Sequence, residues 1–219
     1  MKISELFILW GSAGHAKVLA DLIKLNGGTI IALFDNNSDA TSSLPGIPLF
    51  YGINELNRWM KDQESPQLIN AALAIGGSKG KDRQEIAELL SNVGFLLPSL
   101  VHHSAVVSES AFFGRATQVL ANSVVAAHTL VGDVCIINNN ATVDHECKLG
   151  NGVHVAPGSV LCGCVAVGDN SMIGAGAVVL PRINIGKNVI VGAGAVVTRD
   201  IPDDAIAIGN PAKLTIGYK

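Results

Sequence analysis

Charge is scarce in this chain. Of its 219 residues, 15% are Asp, Glu, Lys or Arg and 48% are hydrophobic, a balance that belongs to a well-packed globular chain and excludes a disordered one. A surplus of positive charge is missing as well. The formal net charge is −3, which leaves no basic patch for nucleic acid but does not exclude an anionic ligand held locally. No apolar run approaches the length of a membrane span. The opening MKISELFILW is too short an apolar run for a signal peptide and leads straight into a glycine motif. The four cysteines lack zinc-site spacing: Cys162 and Cys164 make only a CxC pair, and Cys135 and Cys147 stand apart. Reduced thiols in a cytoplasmic protein, with no metal, are the expectation.

What the chain does have is a rhythm. From Val101 to Pro202, every sixth position (101, 107, 113 and on to 197) is Val, Ile or Leu, with Phe113 the one exception. Four residues after each, from Ala105 to Ile201, stands a small or β-branched residue, and Gly often follows the aliphatic one. A fixed hexapeptide period is the signature of a β-helix. Two inward positions in six and a glycine at the turn suit a short strand followed by a sharp corner. Three such faces make one coil of eighteen residues, and stacked coils bury a continuous aliphatic column. A chance match in an apolar-rich chain would let the register slip, and over this stretch the spacing in the sequence holds.

Before the repeat, Leu6–Trp10 reads as a buried strand, Val18–Leu25 as a helix, and Thr29–Phe34 as a second strand ending at Asp35, a βαβ unit with a Gly-rich first turn. Ile53–Met60 and Lys81–Asn92 read as helices, Leu73–Ile75 and Phe95–Leu97 as short strands. Pro98 marks a boundary, giving domains 1–97 and 98–219. The tail from Asp203 is expected to fold back as a loop or short helix. The first turn, Gly11-Ser-Ala-Gly14-His15-Ala-Lys17, departs from the dinucleotide GxGxxG, which argues against NAD. Its glycines and the helix starting there still suit a phosphate, and Asp35 could meet a ribose or sugar hydroxyl. The plainer reading is a tight turn with Asp35 as a loop cap.

Within the repeat, Asp144-His145-Glu146 puts polar groups on an apolar scaffold. His145 and Glu146 are third and fourth in their hexad, outside the inward positions. A histidine titrates near neutrality and suits a general base. Eighteen residues per coil set His145 between Ala127 and Gly163, and Glu146 beside His128. Cys147 falls at an inward position, so direct transfer is favoured over an acyl-enzyme.

These residues resemble the hexapeptide-repeat acyltransferases, and the GSAGHAK turn, the stretch from Gly76 to Arg83 and the final GNPAK resemble the sialic acid O-acetyltransferase group of bacterial sugar acyltransferases. Ala13 stands where that group usually has Gly. The resemblance implies an α/β Rossmann-like domain followed by a left-handed parallel β-helix, acetyl-CoA as cosubstrate, and homotrimers with active sites between subunits. It implies Gly14, His15, Asp35 and Asn36 as contacts to a nucleotide-activated amino-sugar; the group often has a second acidic residue at position 36. It implies His145 as base, Glu146 as its orienter and the Gly163 N–H as oxyanion donor. It further implies His154, read as lying at a corner, as a contact of the acetyl donor. Gly174, Ala175, Gly192, Ala193 and Lys213 are candidates for CoA itself, although the first four also read as simple corner residues and Lys213 as a solvated charge.

N-acetylation of a UDP-linked 4-amino-sugar is the leading function. A GDP-perosamine-type N-acetyltransferase and a sialic acid O-acetyltransferase are its rivals in class. A zinc-dependent β-helix hydratase would need three converging histidines, and the spacing of His128, His145 and His154 does not resemble one. A non-catalytic sugar-nucleotide sensor would bind without releasing thiol.

Overall fold

The computed structural model describes residues 5–63, 65 and 68–215. The chain separates into two compact units. One runs to Gly76 and resumes over Glu85–Pro98, and the other comprises Gly77–Gln84 and the chain from Ser99 onward.

The first unit is α/β. Strands β1 (Leu6–Trp10), β2 (Thr29–Asp35), β3 (Leu49–Tyr51) and β4 (Ile69–Leu73) form a parallel sheet in the order β3-β2-β1-β4. Helices α1 (Gly14–Leu25) and α2 (Gly52–Lys61) lie between them in sequence, and α3 (Gly80–Val93) follows β4. Central strands of a parallel sheet are covered on both faces, so they read as unbroken apolar runs. Phe7–Trp10 and Ala32–Phe34 are buried accordingly. Phe34 anchors an aromatic cluster, with Trp10, Phe50 and Trp59 ring centroids 6.0, 5.4 and 5.6 Å away.

Two sequence expectations shift here. The strand expected at Leu73–Ile75 is Ile69–Leu73, paired through Trp10↔Leu73. The strand expected at Phe95–Leu97 is a single bridge between Asn70 and Leu96.

The second unit is a left-handed parallel β-helix. Seventeen two-residue strands, β5 (Leu100–Val101) through β21 (Val196–Val197), recur every six residues. From β5 to β18 each pairs with the strand eighteen residues on, as Thr142↔Val160 and His154↔Met172 do. The strands fall into three parallel sheets, one per face. The second residue of each strand points inward. With the residue four positions later it builds one core column that includes Val119, Val125, Ile137, Val143, Leu161, Ile173 and Val191, all nearly inaccessible.

The second inward position tolerates hydroxyls because corner carbonyls accept from them. Thr117 Oγ1 donates to the Gly132 carbonyl at 2.9 Å and Ser171 Oγ to that of Gly186 at 2.7 Å. Buried polar groups satisfied in this way cost little. The corners themselves turn through the left-handed region. Asn122, Asn140, Asn170 and Asn188 take φ of 56, 56, 62 and 54°, with Glu146 and Cys164 at 58 and 61°. Asparagine visits this region most readily among non-glycine residues, which explains its recurrence at one hexad position.

The register does slip at the end. Ile201 bridges to Ile185, sixteen residues back, so the last coil is two residues short. As far as Thr215 the tail is built on two strands and not on the expected loop or short helix, and its last four residues lie outside the described ones. β22 (Ile206–Ile208) extends one sheet beside Ile190–Val191, and β23 (Lys213–Thr215) returns antiparallel to it.

Residues 77–84 belong to the β-helix unit through Arg83. Its side chain is fully buried. Nε donates to the Val134 carbonyl at 2.9 Å and Nη2 to the Gly152 carbonyl at 2.7 Å, with Nη1 reaching the Gly77 carbonyl at 3.4 Å. Burial lowers the guanidinium pKa from its ordinary 12.5 to about 10, so it stays charged at neutral pH and depends on those carbonyls. Arg83→Met keeps the volume but strands three acceptors. It is expected to cost about 2–4 kcal/mol, measured as a lowered urea midpoint, and a change within 0.5 kcal/mol, on the order of an ordinary surface substitution, would refute the tether.

Candidate active site

The corner carrying His145 differs from the corner carrying Asp133. Along the corner column Arg115, Asp133, Asn151, Asp169 the third hexad residue caps the coil before it. The N–H groups of Arg115, Asp133 and Asn151 donate to side-chain oxygens of Asp133, Asn151 and Asp169 at 3.0, 2.8 and 2.9 Å. In the column Ala127, His145, Gly163, Pro181, Arg199, the residue that would cap Gly163 is Pro181, which offers no side-chain acceptor. The Gly163 N–H donates to no group among the described residues. It is a free amide, as are those of Ala127 and Arg199 in the same column, and it is the one that lies against His145.

His145 lies against that glycine. A methyl group at residue 163 would sit 2.7 Å from His145 Cε1 and 3.1 Å from Cδ2, with Nε2 nearer still. The Nδ1–H donates to Glu146 Oε2 at 3.2 Å, because an ionised carboxylate can only accept. That bond places the ring proton on Nδ1 and leaves the Nε2 lone pair turned toward Gly163. Asp144 Oδ1 accepts the His145 backbone N–H at 2.7 Å, fixing the base of the side chain. Glu146 and Cys164 occupy stacked left-handed positions, and the thiol points at Glu146 Oε2 from 3.7 Å. The expectation from coil arithmetic, His145 against Gly163, matches this arrangement.

The buried thiols take no part. Burial pushes Cys135 up to about 12 and Cys147 up to about 11, far from the thiolate a nucleophile needs. His102 and His103 stack at 4.3 Å, and the His102 ring lies 2.8 Å from Ser104 Oγ.

His154 is not at a corner. It stands in β14 (His154–Val155) and is 5% exposed. Its Nδ1–H donates to the Gly77 carbonyl at 3.1 Å, and Asn138 Nδ2 donates to its Nε2 at 3.0 Å. The outward face of this strand is covered by residues 77–84, a long-range event that hexad position does not reveal. Arg83, which fixes that segment, was missed as a site-supporting residue. Its signal was present: it shares one helical stripe with Ile86, Ala87 and Leu90, all buried, where a charge has no business unless partnered.

The remaining candidates separate. Gly174 and Gly192 lie under the next coil, where a methyl would meet Gly192 C at 2.7 Å and Ile208 Cγ2 at 2.6 Å. Stacking alone accounts for both glycines. Ala175 and Ala193 are exposed on a different corner from His145, and Lys213 is exposed on β23. One chain does not bring them to the His145 column.

In the α/β unit, Asp35 spans the glycine turn. Oδ2 accepts the Ser12 N–H at 2.9 Å and its hydroxyl at 3.0 Å, and Oδ1 accepts the Asn37 N–H at 2.9 Å. The loop-cap reading of Asp35 is thus met in full. Gly14 opens α1, whose N-cap Ala13 offers no side-chain bond and whose first turn holds no acid. His15 follows, its ring 4.0 Å from where a methyl on Gly76 would be. Asn36 is exposed.

A glycine-turn α/β unit followed by a hexapeptide β-helix with a His–Glu pair over a free amide defines an acyltransferase of the hexapeptide type. Residues 6–90 match the family described as PglD N-terminal domain, and 164–199 match bacterial transferase hexapeptide (six repeats). The chain is 37% identical to perosamine N-acetyltransferase from Caulobacter crescentus, solved as a histidine-to-asparagine mutant with CoA and GDP-perosamine. The match covers 96% of this chain and 97% of that one at a TM-score of 0.87. It is 35% identical to the acetyltransferase domain of PglB from Neisseria gonorrhoeae, solved with acetyl coenzyme A, over 97% and 100% of the two chains at 0.85. WeeI from Acinetobacter baumannii shares the fold at 24% identity and 0.81, over 96% of this chain and 99% of that one. The chain belongs to the hexapeptide-repeat family of bacterial sugar acetyltransferases, enzymes that use acetyl-CoA.

Proposed function

We propose that the protein N-acetylates the 4-amino group of a nucleotide-linked amino-sugar, a UDP-4-amino-4,6-dideoxy sugar first, by direct transfer from acetyl-CoA. The observation that carries this is His145 Nε2 packed against Gly163, whose amide has no hydrogen-bond partner among the described residues. The sugar amine attacks the thioester carbonyl, and a C–N bond forms as the carbonyl oxygen gains charge. His145 Nε2 takes the proton from the attacking nitrogen, Glu146 steadies the imidazolium, and the Gly163 N–H donates to the oxyanion. Collapse breaks the C–S bond, and the proton passes to the leaving thiolate. The α/β segment up to residue 97 would hold the nucleotide, with the open N-terminus of α1 toward phosphate and His15, Asp35 and Asn36 about the sugar.

A homotrimer with sites between chains fits an unpartnered face of the β-helix. The outward column Val106, Val124, Thr142, Val160, Val178, Val196 of one sheet is β-branched throughout, with Val106 65% exposed. A flat aliphatic stripe of this kind suits a second copy of itself. A neighbour packed there would bring a second corner beside His145, which is how Ala175, Ala193 and Lys213 would come to line CoA. Among the described residues no helix is long and apolar enough to cross a membrane, in keeping with a cytoplasmic enzyme.

A second reading, GDP-perosamine as acceptor, draws on the relative crystallised with that sugar. Acetyl-CoA-dependent thiol release against UDP-4-amino, GDP-4-amino and CMP-linked or free sialic acids separates the readings. Turnover with one 4-amino-sugar is expected. Release with sialic acids alone would move the activity to O-acetylation, and nucleotide-sugar binding without release would favour a sensor.

A further inference from the structure

The corner that carries His145 also assembles a cation site. His145, Glu146 and Cys164 each present one donor atom, and the three atoms lie within 4.8 Å of one another. Nδ1 and Oε2 are 3.2 Å apart, and Oε2 and Sγ are 3.7 Å apart. Zinc bonds of about 2.0–2.3 Å to N, O and S at tetrahedral angles require donor separations of about 3.4–3.6 Å. The observed spacings already bracket that range. Imidazole, carboxylate and thiolate together favour a thiophilic divalent cation over magnesium or calcium.

The backbone explains why the donors converge. Glu146 and Cys164 are eighteen residues apart, both in the left-handed region at the same corner, so their side chains leave successive coils in parallel. All three residues are at least partly accessible, leaving the fourth coordination position to water.

We propose that Zn²⁺ binds His145 Nδ1, Glu146 Oε2 and Cys164 Sγ as a reversible inhibitor, not a cofactor. The cation displaces one proton, from the Cys164 thiol to solvent. Metal on Nδ1 moves the ring proton to Nε2, the atom that otherwise accepts the proton of the attacking amine, and it withdraws Glu146 from its role as orienter. The inhibition rests on His145 being the base, whereas binding does not.

Zinc titration of the full-length protein by calorimetry, with Co²⁺ as a spectroscopic probe, tests the site. One ion per chain and a thiolate-to-cobalt charge-transfer band are expected, with Cys164→Ser weakening zinc at least about tenfold and abolishing the band. Acetylated product is followed instead of thiol release, since zinc also captures free thiol. Wild-type turnover is expected to stop with zinc and return with EDTA, while Cys164→Ser keeps its metal-free rate and resists zinc. Should serine disturb folding, Cys164→Asn serves, because asparagine already stands at four such corners. Equal zinc affinity in wild type and both variants, or a cobalt spectrum with no thiolate band, overturns the proposal. Zinc bound through Cys164 without inhibition upholds the site and counts against His145 as base.

Discussion

Replacing His145 with alanine is expected to lower kcat by about 10²–10⁴ at neutral pH while leaving the fold and nucleotide-sugar affinity unchanged. The side chain is half exposed and contributes nothing to the aliphatic column, so thermal stability has no reason to move. What disappears is the acceptor for the amine proton. The Gly163 amide and whatever binds CoA remain, and they account for residual activity. Glu146→Gln should fall between wild type and His145→Ala, because an amide can still accept from Nδ1–H but no longer balances a charged ring. Single-turnover acetylation under saturating acetyl-CoA isolates the chemical step. A His145→Ala rate within a few-fold of wild type would remove His145 from the mechanism.

The parts of this molecule that were readable in the sequence are those fixed by a period. Six residues per strand place Val143 and Cys147 inside and His145 outside, and eighteen per coil set His145 against Gly163, as they stand in the folded chain. Where the period ends, so does legibility. The two-residue shortening before Ile201 leaves no mark in the hexad pattern, because Ile201 itself falls at an inward position in either register. β4 was misplaced for a related reason: a strand covered on both faces has no alternation, so its ends cannot be read from an apolar run. His154 and Arg83 failed differently. His154 occupies an outward hexad position and is buried only because residues 77–84 lie over it. Arg83 occupies an inward helical position and is tolerated only because three backbone carbonyls of the same unit receive it. Each explains the other, and neither is local in sequence.

Gly163→Ala is the second large effect, and its cause is space and not backbone. Gly163 is not among the glycines in the left-handed region, so alanine meets no conformational strain there. The new methyl would instead fall 2.7 Å from His145 Cε1 and 3.1 Å from Cδ2, inside van der Waals contact. His145 is the movable partner: its ring is half exposed and can swing toward solvent, so stability should fall by less than about 1 kcal/mol. The swing takes Nε2 from the amide that faces the oxyanion and stretches the Glu146 bond. A base displaced by an ångström or more is expected to cost about 10²-fold in kcat. If Gly163 acts by making room for the imidazole, the double variant Gly163→Ala/His145→Ala should be no slower than His145→Ala alone, since the group being displaced is already gone. If instead the methyl blocks the oxyanion position itself, the two losses should multiply. Steady-state acetylation by the two single variants and the double variant therefore separates the two roles of this residue. A Gly163→Ala enzyme with wild-type kcat would exclude both.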